Sequence, residues 1–192
     1  MAKLGKRDCT AFTIGHSTRE WHDFLAILRA YRIQRVVDVR SIPRSRRNPQ
    51  FNRDVLAAKL RSARISYVHL RKLGGRCHAR SNSLNLAWRN KSFRGFADYM
   101  QTPEFTDGLQ RLLELAKQKR SALMCAEVVP WRCHRSLIAD ALVARGIRVI
   151  DIISEKRSQA HALTSFACVD GKRVRRQPCE QRRPYTGSLA HN

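Results

Sequence analysis

Residues 121–153 read SALMCAEVVPWRCHRSLIADALVARGIRVIDII, and their pattern decides the fold. The apolar run Ser121–Cys125 predicts a buried strand, and a polar loop follows it. The spacing of apolar residues over Ser136–Arg145 predicts a helix, which Gly146 ends. A second apolar run at Ile147–Ile153 predicts a second strand. A strand, a helix and a strand in this order predict a parallel β-α-β unit with a right-handed crossover.

The chain before this unit repeats the same alternation. Short apolar runs predict strands at Ala11–Ile14, Ile33–Val39 and Ile65–Leu70. Apolar residues three and four positions apart predict the intervening helices, which are Trp21–Tyr31, a helix from Asn52 to about Ala63, Ser92–Gln101 and Pro103–Gln118. We therefore predict a three-layer α/β fold, with a mostly parallel five-stranded sheet and helices on both faces.

The domain organisation is simple. The sequence shows no internal repeat and no boundary before residue 170, so residues 1–170 are predicted to form one α/β domain. Residues 171–192 are basic and are predicted to form a flexible tail. The polar stretch Arg71–Lys91 exceeds the usual length of a connection, which predicts either a functional loop or a partly helical segment.

The net charge is strongly positive. Lysine and arginine number 38 against 15 acids, a formal charge of +23. From Arg29 to Arg80 there are fifteen basic residues and only Asp38 and Asp54 as acids. Such a charge attracts small anionic substrates or nucleic acid, although an arginine-rich surface without a dedicated partner has the same composition. With 43% hydrophobic residues, the chain is not a disordered basic arm.

No apolar run approaches the roughly 18–20 residues that span a bilayer. The N-terminal residues also lack the apolar stretch of a secretory signal. We therefore expect a soluble, cytoplasmic protein with no membrane partner. The six cysteines form no Cys-x-x-Cys pair, so they are expected to be reduced thiols, and a functional one would be a nucleophile or a metal ligand.

Four polar clusters follow the predicted strands. They are Gly15–Ser17, Asp38–Ser41, Arg71–Gly75 and Cys125–Ser136. Because ligands bind beyond the carboxyl ends of the strands in an open parallel sheet, these clusters predict a functional site at that edge.

The loop after Cys125 carries most of this signal. The helix that starts at Ser136 offers unpaired N–H groups and partial positive charge, which favour a bound anion and lower the pKa of a nearby thiol. The layout is similar to the Cys-loop of rhodaneses and cysteine phosphatases. Those loops place five residues between cysteine and arginine, whereas six separate Cys125 from Arg132 here.

The same loop allows two other chemical interpretations. Cys125, Glu127, Cys133 and His134, with His16, offer sulfur, nitrogen and oxygen ligands that suit zinc or iron. Alternatively, Glu127 acts as a general base beside His16 or His134, and arginines hold the substrate. Structural roles are also open for these residues: Cys125 in the core, Glu127 in a clamp with Arg40 or Arg135, and His16–Ser17 as a helix cap.

Several motifs together resemble one prokaryotic family, catalogued as domain of unknown function 488. The matching segments are Thr13–Ser17, Asp38–Ser41, Pro49–Asn52, Leu73–Gly75, Phe93–Met100, Cys125–Glu127, Cys133–Arg135 and His161–Thr164. The resemblance implies an α/β fold and adds His161 to the site, but it implies no settled activity. Cys77-His78 and the segment beyond residue 171 fall outside it.

These observations predict an enzyme that acts on an anionic or nucleotide-like substrate. Its catalytic candidates are Cys125, Glu127, Cys133, His134 and His16, and its anion-binding candidates are Arg40, Arg135, Ser17 and Ser136. The alternatives are a nucleic-acid-binding accessory protein and a protein that binds zinc or iron without turnover.

Overall fold

The structure, a computed structural model, describes residues 10–165, 167–170 and 173–175. Its strands are β1 (Thr10–Gly15), β2 (Arg35–Asp38), β3 (Ser66–His69), β4 (Ser121–Cys125), β5 (Arg148–Ile152), β6 (Ser158–Ala160), β7 (Cys168–Asp170) and β8 (Arg173–Arg175). Its α-helices are α1 (Trp21–Ala30), α2 (Arg53–Ser62), α3 (Lys91–Tyr99), α4 (Pro103–Gln118) and α5 (Arg135–Val143).

Six strands form the main sheet, in the order β3-β2-β4-β1-β5-β6. All neighbours are parallel except β5 and β6. The five predicted strands are confirmed. The predicted strand count is wrong by one, because β6 consists of three exposed residues with no apolar pattern that could have indicated it.

Two cores lie on opposite faces of this sheet. On one face, Phe24 and Leu28 of α1 and Leu56 and Leu60 of α2 pack against the sheet. On the other face, buried residues of α3, α4 and α5 do so, among them Phe96, Leu109 and Leu137. The predicted three-layer arrangement is therefore confirmed. It follows from the direction of the right-handed crossovers, which run from β1 towards β3 on one face and return on the other.

Local sequence fixes the ends of two helices. In α4, Pro103 occupies the first turn, and the Thr102 hydroxyl accepts a hydrogen bond from the backbone N–H of Phe105. In α3, the Asn90 side chain accepts from the N–H groups of Ser92 and Phe93. No helix in the described part of the chain is long and apolar enough to cross a membrane.

The C-terminal segment is described only in part. Strands β7 and β8 pair with each other, so three residues of the predicted tail lie in a strand. Residues 171, 172 and 176–192 lie outside the described residues, and the flexible tail stays a prediction.

Candidate functional site

The carboxyl ends of β1, β2 and β4 form the centre of one sheet edge. The chain leaves β1 towards α1 on one face and leaves β4 towards α5 on the other, which opens a crevice between the two strands. Their pairing continues into the loops, because the backbone N–H of His16 donates to the Cys125 carbonyl at 2.9 Å. A Cβ at Gly15 would lie 1.8 Å from the Glu127 carbonyl oxygen, so only glycine allows this approach.

Two thiols and one imidazole converge at this edge. His134 Nδ1 lies 3.9 Å from Cys125 Sγ and 3.7 Å from Cys133 Sγ. The three ligand atoms all lie within 4.8 Å of one another, and no fourth His, Cys, Asp or Glu joins the group among the described residues. Strand β4 supplies Cys125, and the residues that open α5 supply the other two.

The orientation of the imidazole is fixed from several sides. His134 Nε2 donates to the backbone carbonyl of Val39 at 3.1 Å, which leaves the Nδ1 lone pair directed at the sulfurs. The edge of the ring packs against Phe96, with centroids 5.0 Å apart. Gly75 lies against the ring, since a Cβ there would be 2.4 Å from Nδ1.

The two thiols of the group, Cys125 and Cys133, differ strongly in pKa. The pKa of Cys125 is lowered to about 7, chiefly by a hydrogen bond from Cys133. The backbone N–H of Ala126 and the charge of Arg135 also lower this pKa, and burial opposes them. The hydrogen bond to Cys125, together with burial, raises the pKa of Cys133 to about 12. The pair therefore begins to lose its first proton near neutral pH, and the resulting charge is centred on Cys125.

Arg135 holds the loop between the cysteines. Its side chain is fully buried, and its terminal N–H groups donate to the backbone carbonyls of Glu127 and Val128. Its Nε donates to the Thr13 hydroxyl at 3.4 Å. These bonds use the guanidinium to position the loop, and they leave it little capacity to bind an external anion.

Arg40 is also engaged within the protein. Its Nε and Nη2 donate to both carboxylate oxygens of Asp38, at 2.9 and 2.6 Å. Tyr67 donates to the same carboxylate, and burial with this neighbouring charge raises the pKa of Tyr67. The Asp38–Arg40 pair is buried, so most of the arginine charge is neutralised locally.

His16 contacts this pair and is held neutral. Its Nδ1 donates to the Ser17 carbonyl at 2.7 Å, and its Nε2 accepts from Arg40 Nη1 at 3.1 Å. Burial and the Arg40 charge lower the pKa of His16 to about 4. The ring also stacks on Phe51, with centroids 4.2 Å apart. With Nε2 occupied, His16 is a weak general base at neutral pH.

Glu127 lies apart from the thiols. Its side chain is exposed, and its carboxylate accepts a 3.4 Å hydrogen bond from the Val129 N–H. It lines a cavity of about 340 Å³ together with His16, Ser17, Arg40 and Arg44. The fourth predicted anion ligand, Ser136, is buried, and its hydroxyl donates to the Cys133 carbonyl at 2.9 Å.

His161, which the family resemblance added, forms a separate cluster. Its Nε2 lies 3.0 Å from Asp140 and its Nδ1 lies 2.9 Å from Asp151. Asp140 also accepts bonds from the backbone N–H and the hydroxyl of Thr164. The sequence analysis missed both acids, because each sits among apolar residues of a helix or strand with no local motif around it.

The structure thus brings Cys125, Cys133 and His134 together and places His16 and Glu127 beside a neighbouring cavity. Comparison with known proteins adds the family. No curated protein and no solved structure matches the chain. The family model described as "Domain of unknown function DUF488" matches residues 20–142, which is most of the chain and includes all three converging residues. The chain belongs to the DUF488 family.

Proposed function

We propose that this protein is a metal-binding protein, and that Cys125, Cys133 and His134 hold one zinc or iron ion used in chemistry on an anionic substrate. The observation that carries the proposal is the convergence of two sulfurs and one nitrogen at 3.7 and 3.9 Å, with the nitrogen lone pair facing the sulfurs. Thiolates and neutral imidazole are the ligands that zinc prefers in proteins.

The spacing of the ligand atoms supports a tetrahedral ion. Zinc–sulfur bonds of about 2.3 Å and zinc–nitrogen bonds of about 2.0 Å put sulfur and nitrogen roughly 3.6 Å apart in a tetrahedral site. The two sulfur–nitrogen distances exceed this by only a few tenths of an ångström. The two sulfurs lie within 4.8 Å of each other, against about 3.8 Å in a tetrahedral site, so coordination requires side-chain shifts of up to about 1 Å.

The surroundings of the three residues support the same proposal. Histidine ligands usually donate their second N–H to a carbonyl or carboxylate, as His134 does to Val39. The lowered pKa of Cys125 means that its thiol proton is released more readily when a cation binds. Three protein ligands are typical of sites that keep one position for water or substrate.

A metal ion in such a site supplies Lewis acidity to a substrate or water oxygen. The protein would add a positive field that attracts anions, from its net charge of +23. Glu127 is exposed in the neighbouring cavity beside His16, and we assign it proton transfer for a substrate that extends from the ion into that cavity. Arg135 and Arg40 are assigned to holding the loops that carry these groups.

The test is metal content by mass spectrometry on untagged protein purified with reduced thiols. We expect about one zinc or iron per chain in the wild type, and loss of it in Cys133→Ala and His134→Ala. Cys77→Ala is the matched control, since Cys77 is a half-buried free thiol outside the converging group. Equal metal in all four proteins, or none in the wild type, would refute the proposal.

The second candidate function is metal-free thiol catalysis. The 3.9 Å approach of Cys125 Sγ to His134 Nδ1 favours it, because a thiol beside an imidazole forms a nucleophile–base pair. Cys125 would bond to an electrophilic atom of the substrate as the leaving group departs, and His134 would take up the thiol proton. A wild type without metal that is alkylated at Cys125 at neutral pH would support this candidate, whereas one metal ion per chain would exclude it.

A further inference from the structure

A second cavity, of about 530 Å³, has none of the three proposed metal ligands among its lining residues. The segment from Arg71 to Arg80, helix α3 and the residue that caps α4 line it. Three exposed arginines stand on its rim, at positions 71, 76 and 80. Half of the lining residues belong to the stretch Arg71–Lys91, and none of them is a proposed metal ligand.

The three rim arginines bring positive charge to this cavity without forming an ion pair among the described residues. None of the ion pairs in the described part of the chain involves Arg71, Arg76 or Arg80, although Lys72 beside them pairs with Asp107 at 3.2 Å. The one acid among the lining residues is Asp98. Three arginines and one carboxylate leave the lining with a net positive charge.

Asp98 is already satisfied inside the wall. It is buried, and it accepts hydrogen bonds from the Ser83 hydroxyl, the Asn85 amide and the backbone N–H of Arg80, at 2.6, 2.7 and 2.9 Å. These bonds, together with the nearby charge of Arg80, lower the pKa of Asp98 against the effect of burial. The carboxylate therefore holds the loop in place and is not available to pair with the arginine side chains in a bidentate manner.

The segment that carries the three arginines is held in place by contacts with helix α3 and with the loop after β2. A Cβ at Gly95 of α3 would lie 2.5 Å from the Cys77 carbonyl oxygen, so the loop packs directly on the helix backbone. The Ser41 hydroxyl accepts from the backbone N–H of Arg76 at 3.0 Å. At the far end of the loop, Arg94 donates to the Trp88 carbonyl through two nitrogens, at 3.0 and 2.8 Å. The arginines therefore project from a fixed frame.

We propose that this cavity binds the phosphoryl group of a small phosphorylated molecule of nucleotide size. Guanidinium groups donate paired N–H bonds that match phosphate oxygens, and three of them can serve three oxygens, whereas a carboxylate offers only two. The volume lies within the roughly 300–1,000 Å³ range of small-ligand sites. The proposal does not rest on the metal centre.

Calorimetric titration of the full chain with pyrophosphate and with ATP, in 0.15 M salt, tests it. We expect saturable binding of both, and weaker binding of malonate, a dicarboxylate of similar size. Arg76→Ala and Arg80→Ala should each raise Kd roughly tenfold, the usual effect of losing one charge-assisted contact. Arg29→Ala is the matched control, because Arg29 is an exposed arginine in the last turn of α1, outside the lining.

Two results would overturn the proposal. One is that neither pyrophosphate nor ATP binds saturably. The other is an equal loss of affinity in Arg29→Ala, which would show general charge attraction only. If an alanine variant fails to fold, Arg76→Lys replaces it, and it should still weaken binding because it keeps the charge but loses the paired donors. Protein dialysed against a chelator and then freed of it should keep its affinity, which separates this result from the metal test.

Discussion

His134 donates its Nε2–H to the carbonyl oxygen of Val39 at 3.1 Å, and this bond directs Nδ1 at the sulfurs of Cys125 and Cys133. Val39 follows β2, whereas Cys125 ends β4 and Cys133 belongs to the loop after β4. The orientation of the ring is therefore a property of the assembled sheet rather than of the loop that carries the ligands.

Gly75 provides a test of the centre that keeps every ligand residue. In Gly75→Ala, the new Cβ would lie 2.4 Å from His134 Nδ1, so the ring must leave the position in which Nδ1 faces the sulfurs. We expect the affinity for zinc or iron to fall at least tenfold, measured by competition with a chromophoric chelator. Gly146→Ala is the control, because Gly146 has φ +75° with open space around it. It should cost about 1 kcal/mol in the free energy of unfolding and leave metal affinity unchanged. Equal metal affinity in both variants would contradict the assigned position of the ion.

The buried pair of Asp38 and Arg40 predicts a large loss of stability on truncation. Arg40→Leu leaves a fully buried carboxylate with Tyr67 as its remaining side-chain donor. We expect a loss of about 3 to 5 kcal/mol in the free energy of unfolding, measured by urea denaturation. The double variant Asp38→Asn with Arg40→Leu should recover part of this loss, since no unpaired charge remains. A double variant as unstable as the sum of its parts would show that the pair is not coupled.

The His161 cluster predicts a loss of stability at alkaline pH. Burial lowers the pKa of His161, but the hydrogen bonds and charges of Asp140 and Asp151 prevail and raise it to about 9. Because the folded pKa exceeds the unfolded value of about 6.5, the stabilisation is complete below pH 6.5 and is lost as the pH rises to 9. We expect up to roughly 3 kcal/mol of this pH dependence. This pH dependence of stability should be absent in His161→Gln. It should persist in the control His22→Gln, because the side chain of His22 is 80% exposed. Identical pH profiles for all three proteins would contradict the prediction.

The net charge predicts nucleic-acid binding that depends steeply on salt. We expect a single-stranded oligonucleotide to bind at 50 mM salt and to lose at least 100-fold in affinity by 200 mM, because released counterions dominate such binding. Trp131 lies in the loop between β4 and α5 and is 63% exposed. In a dedicated nucleic-acid site, its ring would stack on bases. Generic attraction predicts that Trp131→Ala leaves Kd within twofold. Binding that persists at 200 mM salt and falls in Trp131→Ala would instead support the nucleic-acid alternative, as would its loss on removal of residues 171–192.

Much of this architecture follows from local pattern. The apolar runs give the five parallel strands, and the rule for parallel sheets places Cys125 and the Asp38–Ser41 segment at one edge. The three-residue strand β6 escapes this logic. It depends on pairing with β5 and not on its own composition.

The roles of the arginines were harder to predict. The sequence pattern places Arg40 and Arg135 at the correct edge of the sheet. It does not show that the Asp38 carboxylate binds Arg40, or that two backbone carbonyls accept the hydrogen bonds of Arg135. The cluster of His161 with Asp140 and Asp151 could not be predicted from the sequence for the same reason. It joins three distant segments of the chain through contacts that only the fold creates.

The bond between His134 and Val39 also bears on the order in which the chain is made. The three proposed ligands fall within ten consecutive residues, from 125 to 134, and leave the ribosome almost together. Residue 39 is synthesised long before them. During vectorial synthesis, the carbonyl that orients the imidazole is therefore already available when the donors emerge, so capture of an ion would complete a partly assembled sheet rather than nucleate it.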